Sequence, residues 1–169
     1  YFADRVNQLP LGVVGVAVGI ALLPLLSRQI QANDDDSAMD SQNRAVEISI
    51  LLTLPAAVGI ALLAEPIAAT LFERGAFIAA DRIAVSAALR AFSIGLPAYV
   101  LVKAFAPGFF GRYDTATPVK ISAAALIVNV IFALIFMRFF GHVGIALATS
   151  LSAWINVSAL GIVLFRRGH

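Results

Sequence analysis

The chain has 169 residues, of which 60% are hydrophobic and 13% are charged, and its mean hydropathy is +0.91. A soluble globular domain carries about 25% charged residues, so this chain has too little polar material to cover a water-facing surface. The net charge is +2 and the basic residues are dispersed between apolar runs, which excludes the basic stripe of a nucleic-acid-binding protein. There is no cysteine and the two histidines lie far apart, so we expect no disulfide, no metal site and no cofactor.

The first residue, Tyr1, is not an initiator methionine, and neither a charged segment nor a small-residue cleavage site follows it. No signal peptide is therefore visible. We expect the chain to be a piece of a longer protein, with sequence missing upstream.

Long uncharged runs predict membrane-spanning helices, because about 20 apolar residues are needed to cross a hydrocarbon core where only internal hydrogen bonds satisfy the backbone. The expected fold class is an all-α, polytopic membrane helical bundle with about five transmembrane helices. We expect residues 1–169 to form a single partial transmembrane domain. In chain order, the predicted spans are 6–27, 45–64, 83–110, 119–137 and 143–165.

The first span is rich in glycine and proline. Gly15 and Gly19 have the small-xxx-small spacing that lets a neighbouring helix approach closely. Plain helix packing is one interpretation, and a pliable helix that bends during transport is the other. Under the second interpretation, the bending or gating residues of the whole chain are Pro10, Gly15, Gly19, Pro24, Pro97 and Pro107.

The second span begins beside two charged residues. Arg44 and Glu47 stand at i and i+3, a spacing that suits a local ion pair at the membrane surface. The alternative is that Arg44 meets an anionic ligand at the mouth of a cavity.

Charged residues and prolines interrupt the third span. Arg90 and Lys103 lie inside it, nearer to its ends than to its centre, while Pro97 and Pro107 each remove a backbone donor. We expect a bent helix that faces protein or water. The two cations either reach the membrane surfaces or line a cavity.

Polar connections separate the spans. We predict a solvated loop over residues 28–44 whose last residues cap the next helix. Residues 111–118 place Pro118 in the first turn of the fourth span, and a tight turn over 138–142 leads to the fifth. The apolar stretch 66–72 is too short to cross, so we expect it to lie along the membrane interface beside a turn at Glu73, Arg74 and Gly75.

Because successive spans cross the membrane in opposite directions, six basic residues lie on one side of the membrane and four on the other. The positive-inside rule places the richer side in the cytoplasm, together with the C-terminal Arg166 and Arg167, and puts Tyr1 outside.

Uncharged polar residues also occur at membrane depth. We expect them to form interhelical hydrogen bonds. They are Asn129, Thr149, Ser150, Ser152 and Asn156. No paired carboxylates lie at mid-depth in the predicted spans, no histidine accompanies a nucleophile, and no glycine-rich phosphate loop follows a strand, so an enzyme is not predicted.

Five stretches follow one another in a distinctive order. They read YFADRVNQLPLGVVGVA at 1–17, LPLLSR at 23–28, LTLPAA at 52–57, VKAFAPGFF at 102–110 and DTATPVK at 114–120. These motifs resemble those of the MurJ/MviN family of lipid II flippases, and the resemblance covers essentially the whole chain. It implies the eighth to twelfth helices of a fourteen-helix protein, which form most of a MATE-like C-terminal lobe.

The resemblance also implies a function. Such a protein moves the undecaprenyl-pyrophosphate-linked peptidoglycan precursor, lipid II, from the inner to the outer leaflet of the bacterial inner membrane by alternating access. The implied partners are lipid II or a similar lipid-linked glycan, membrane lipids and the missing N-terminal lobe of the same chain, with no nucleic acid.

A cationic central cavity is part of what the resemblance implies, and its predicted substrate-binding residues here are Arg44, Glu47, Lys103 and Arg90. The family is expected to carry an arginine on the second span. Counting back from Leu54 places that position on Glu47, with Arg44 one helical turn away.

Some members of the family are expected to bind sodium through an Asn and an Asp on the fourth span and a Thr on the fifth. Asn129 and Thr149 fit this pattern, but Ala133 occupies the place of the acid. No sodium site is therefore predicted.

The sequence is also compatible with two alternative functions. A related exporter would move other lipid-linked glycans or drugs, although a cation exporter needs acidic residues in its spans and only Glu47, at a span end, qualifies. A non-transporting membrane scaffold of cell-wall synthesis would tolerate the loss of Arg44 and Lys103.

Overall fold

The structure, a computed structural model, describes residues 2–72 and 79–166. These residues form helices joined by short turns, and no strand occurs among them. The elements are α1 (Phe2–Pro10), a π-helical segment (Leu11–Val16), α2 (Ala17–Gln31), α3 (Asp35–Leu62), α4 (Ala64–Phe72), α5 (Ala79–Phe110), α6 (Ala116–Phe140) and α7 (His142–Arg166). Tyr1, Arg167 and the turn predicted at Glu73, Arg74 and Gly75 lie outside the described residues.

Five helical stretches are long and apolar enough to cross a membrane. They are Ala3–Gln31, Asp35–Leu62, Arg82–Phe110, Ala116–Phe140 and His142–Arg166. The predicted fold class, an all-α bundle with five helices of spanning length, is confirmed. The helices extend beyond most of the predicted spans, because an apolar run marks only the part of a helix that suits hydrocarbon.

The largest difference from prediction is the stretch 28–44, which is mostly helical. Only residues 32–34 separate α2 from α3, and Asn33 takes a positive φ of 56° in that turn. Asp34 caps α3, since its carboxylate accepts a hydrogen bond of 3.1 Å from the Ser37 amide. Asp35 and Asp36 then complement the positive end of the helix dipole. The predicted loop was wrong because a polar stretch with a good N-cap can be helical.

The connections from α5 to α6 and from α6 to α7 are short. In the turn after α5, Asp114 accepts a hydrogen bond of 3.0 Å from the Thr117 amide, and Pro118 lies in the first turn of α6 as predicted. One residue, Gly141, separates α6 from α7. Its φ of 58° is left-handed, a conformation that glycine adopts without a steric penalty.

The centre of the bundle is α5, which packs against α1, α2, α3, α4 and α7. Its side chains Leu89, Leu96 and Val100 are fully buried. In contrast, α6 packs along α7 and hardly touches α5, and most of its large apolar side chains are exposed. A gap therefore opens between α5 and α6 with α7 as its floor.

Direct polar contacts hold α5 to its neighbours. Ser150 Oγ donates to the Ala91 carbonyl at 2.7 Å, and Trp154 Nε1 donates to the Ile94 carbonyl at 2.9 Å. Residue numbers in the two pairs increase in the same direction along both helices, so α5 and α7 run parallel. On the other side, the buried Gln42 of α3 donates from Nε2 to an α5 carbonyl at 2.8 Å.

Candidate functional site

A cavity of about 280 Å³ lies between α5, α6 and α7, and Leu11 of the π-helical segment also contributes to its wall. Apolar atoms supply most of the wall surface, and we call it the polar cavity because of the seven polar residues that line it. Its polar lining residues come from three helices. They are Tyr99, Lys103, Ser122, Asn129, Thr149, Ser152 and Asn156.

This cavity lies at membrane depth. The midpoint of α6 is residue 128 and that of α7 is residue 154, so Asn129 and Asn156 lie within about 3 Å of the middle of their helices along the axis. Polar side chains at this depth are costly in hydrocarbon and normally face protein or water. We therefore expect the two amides to face protein or water and not lipid.

Lys103 is the single charged residue among those that line the polar cavity. Within the described part of the chain, it forms neither a salt bridge nor a hydrogen bond through its side chain. The cavity wall includes no carboxylate to neutralise it. The ammonium group is thus free to meet a ligand.

The first span holds Lys103 by close packing. A Cβ atom added to Gly15 would lie 3.4 Å from Lys103 Cγ, and one added to Gly19 would lie 3.5 Å from the Lys103 carbonyl oxygen. That carbonyl has no helical donor, because the residue four positions later is Pro107. The close approach predicted for the two glycines is present, and the backbone that they approach is that of α5.

The uncharged polar residues form fewer interhelical bonds than expected. Ser150 makes one, whereas Thr149 Oγ1 donates to Ile145 and Ser152 Oγ donates to Thr149 within their own helix. The expectation was wrong for these two because Ser and Thr hydroxyls readily bond to the preceding turn. Asn156 buries Oδ1 without a partner among the described residues.

Arg44 lies elsewhere. It borders a separate groove of about 260 Å³ between α2 and α3, whose other lining residues are apolar except Ser41. The structure therefore does not bring Arg44 and Lys103 together. Glu47 and Arg90 are exposed and line neither cavity. No salt bridge within 4.0 Å joins Arg44 to Glu47, so the predicted local ion pair is absent from the described contacts.

The candidate bending residues occupy two kinds of position. Pro10 immediately precedes the π-helical segment Leu11–Val16, and irregular turns of this kind often accompany helix bends. Pro24, Pro97 and Pro107 lie inside helices that continue on both sides. Whether any of them moves during transport stays a prediction.

Asn129 and Thr149 line the same cavity, whereas Ala133 is not among the residues that define it. Over residues 2–72 and 79–166 there is no group of three or more His, Asp or Glu side chains placed to hold a metal ion. An ammonium group in the wall also disfavours a second cation there.

Tyr99 and Ser122 were not among the predicted site residues. A signal was available, because Tyr99 precedes Lys103 by four residues and Ser122 precedes Asn129 by seven, which are helical repeats. The packing of the three helices brings these residues of α5 and α6 to the same cavity as the polar residues of α7, and the sequence alone does not show this.

Five helices of spanning length, three of which supply most of the lining of a polar cavity, define a multi-pass helical membrane protein. The model of the family described as lipid II flippase MurJ matches residues 1–169. The chain therefore belongs to the lipid II flippase MurJ family.

Individual relatives agree with this assignment. The chain is 46% identical over 168 residues to the probable lipid II flippase MurJ of Rhizobium tropici, covering 99% of this chain and 32% of that protein. The corresponding protein of Rhizobium meliloti is 45% identical, with 99% and 31% covered. The chain thus spans about a third of the length of these curated relatives.

A solved structure, described as lipid II flippase MurJ in an inward closed conformation, superposes with a TM-score of 0.86 at 30% identity. The match covers 97% of this chain and 34% of that one.

Proposed function

We propose that the full-length protein is a lipid II flippase of the bacterial inner membrane, and that this chain supplies five helices of its C-terminal lobe as one partial transmembrane domain. Alternating access would carry the undecaprenyl-pyrophosphate-linked precursor from the inner to the outer leaflet. The observation that supports this best is the unpaired Lys103 in a polar cavity at membrane depth, in a member of this family.

The substrate explains why such a cavity is needed. Lipid II joins an anionic pyrophosphate and sugars to a long apolar tail, and its headgroup cannot cross hydrocarbon without polar partners. A lysine ammonium and neutral amides provide those partners without breaking a bond. We therefore propose a transporter and not an enzyme.

The remaining site assignments belong to this proposal. Arg44, Glu47, Lys103 and Arg90 are the proposed substrate-binding charges; of these four, Lys103 lines the polar cavity and Arg44 borders the separate groove. Pro10 beside the π-helical segment is the leading bend point. By itself, the 169-residue chain is expected not to transport, since half a cavity cannot enclose a substrate.

The test uses the full-length protein in cells depleted of their own lipid II flippase. We expect the wild-type gene to restore growth and the appearance of lipid II in the outer leaflet. Normal membrane levels of the protein without outer-leaflet lipid II would contradict the proposal.

A variant series separates transport from scaffolding. The pair Arg44→Ala and Lys103→Ala should abolish translocation, while Lys120→Ala, outside the cavity in the first turns of α6, should not. A scaffold would tolerate all three substitutions as long as the protein inserts.

A further inference from the structure

We propose that Arg112, in the turn between α5 and α6, is a positioning residue of the transporter. Its guanidinium group ties the end of α5 to the start of α3 and thereby fixes the point from which α6 begins, which sets the width of the gap between α5 and α6. Arg112 is not among the residues that line the polar cavity. The inference rests on the proposed function only where transport is measured.

The first argument is how α6 is held in the bundle. It packs along α7 and has few contacts with α5. The contact with α7 is very close at the far end of α6, where a Cβ atom added to Gly144 would clash with the Phe136 backbone. Near the start of α6, Ile121 packs against an apolar cluster of α5 and α7. Because little else holds α6 to α5, the position of its first turn depends on the turn that precedes it.

The second argument is that the turn between α5 and α6 lies directly against the α2–α3 hairpin. A Cβ atom added to Gly111 would lie 2.9 Å from Ile30 Cδ1 and 3.6 Å from the Ser27 backbone nitrogen. Gln31 Nε2 also donates a long hydrogen bond of 3.5 Å to the Tyr113 hydroxyl. The end of α2 therefore supports the turn, and the turn has no room to shift towards it.

The third argument is the pair of bonds that Arg112 makes. Its Nη2 lies 3.1 Å from Asp35 Oδ1 in α3, and its Nη1 donates to the Gly108 carbonyl of α5 at 3.3 Å. That carbonyl is among the last four of α5, which ends at Phe110, and these have no donor within the helix. Cations are favoured at the C-terminal end of a helix and anions at the N-terminal end. Each charge of the pair therefore lies at the helix end that suits its sign.

The fourth argument is the chemistry of arginine. A guanidinium group holds its five N–H donors in a rigid plane, so it can bond to two helices at a fixed geometry, which a flexible ammonium group cannot. The Arg112 side chain is only 15% exposed, whereas that of Asp35 is 69% exposed. Exposed salt bridges contribute little to stability. We therefore expect this pair to determine where α6 starts more than how stable the protein is.

The test measures distances between spin labels in the full-length protein, held in lipid nanodiscs and without other cysteines. One label pair joins Asn43→Cys on α3 to Val119→Cys at the start of α6, and the reference pair joins Asn43→Cys to Ile162→Cys on α7. All three positions are exposed in this chain. We expect Arg112→Gln to broaden the first distance distribution, measured by double electron–electron resonance, and to leave the reference distribution unchanged. Two unchanged distributions would overturn the inference, and so would equal broadening of both.

Neighbouring acids separate the ion pair from a general effect of charge. Asp35→Asn should broaden the same distribution, and the double variant Asp35→Asn/Arg112→Gln should broaden it no further than Arg112→Gln alone, because the two side chains act as one pair. Asp36→Asn is the matched control, since Asp36 lies in the same turn of α3 and forms no salt bridge among the described residues. It should leave both distributions unchanged. A double variant that shows the sum of the single effects, or an equal effect of Asp36→Asn, would contradict the role of the pair.

Transport supplies a separate readout. Arg112→Gln should lower the rate of lipid II translocation several-fold at an unchanged unfolding temperature, and a lower rate without a change in distance would count against positioning. If the wild type translocates lipid II while Arg112→Gln leaves the distances unchanged, the inference fails and the function stands. If the distances respond but the wild-type protein moves no lipid II, the function fails and the positioning role stands.

Discussion

At Gly95 the α5 backbone meets α7 with no room for a side chain. A Cβ atom there would lie 2.6 Å from Ser150 Oγ and 2.8 Å from Ser150 Cα, so the helices must separate to admit it. We expect Gly95→Ala to destabilise the full-length protein by about 1–3 kcal/mol through overpacking. The measurement is thermal unfolding in detergent.

Gly59→Ala is the matched control, because nothing lies within 4 Å of the Cβ position at Gly59 and alanine favours the helix. It should leave the unfolding temperature unchanged or raise it. Equal unfolding temperatures for the two variants would contradict the close α5–α7 contact.

Asp34 is the residue that begins α3. Hydrogen bonds from the Ser37 side chain and backbone amide lower the pKa of Asp34 below its usual value of 3.8. Because the folded-state pKa is the lower one, the ionised cap stabilises the helix start above pH 3.8, and that stabilisation is lost as the pH falls through the folded-state pKa.

Hydrogen exchange at the Ser37 amide tests this cap. At neutral pH, Asp34→Ala should exchange faster than the wild type, whereas Asp36→Ala, which removes an acid from the same turn but not the cap, should change it less. The difference between Asp34→Ala and wild type should shrink well below pH 3.8. A difference that does not depend on pH would contradict the role of the carboxylate.

At the scale of elements, the π-helical segment after Pro10 is the irregular part of the first span. Pro10 lacks the amide that would donate to the Val6 carbonyl, so the regular hydrogen-bond ladder is already broken there. We expect Pro10→Ala to make this segment more regular and to reduce lipid II translocation several-fold at normal expression. The measurement is the translocation rate of reconstituted full-length protein.

Pro55→Ala provides the control, since Pro55 lies within α3, which is α-helical on both sides. Its effect on translocation should be smaller. If both substitutions leave the rate unchanged, the first span serves packing and not bending.

Hydropathy predicted the number of spanning helices because burial in hydrocarbon imposes long apolar runs. It missed the first ten residues of α3, from Asp35 to Arg44, since a helix in water carries no such run. The cap at Asp34 and the acids after it were the local signals that favoured a helix there. Hydropathy also gave no information on which helix packs against which.

The same limit applies to the site. Lys103 and Asn129 were recognisable one by one, as polar groups in apolar runs. Their common cavity depends on α6 standing away from α5, and this follows from packing between residues far apart in the chain. For the same reason, the sequence could not show that Arg44 faces a different groove.

At the scale of the whole molecule, the central claim is that a polar, water-accessible cavity lies inside a bundle that is otherwise surrounded by lipid or by other helices. Large apolar side chains along α6 point away from α7 into the surroundings, and Leu134 is 63% exposed in this chain. The chain contains no cysteine, so single cysteines introduced here report on one position each.

Cysteine accessibility in membrane vesicles tests this claim most directly, in a full-length protein without other cysteines. A small hydrophilic thiol reagent should modify Lys103→Cys and Asn129→Cys, and undecaprenyl pyrophosphate should slow both reactions. Leu134→Cys, on the apolar face of α6, should stay unmodified. If the two cavity positions are as unreactive as Leu134→Cys from both sides of the membrane, the cavity is not open to water and the account is wrong.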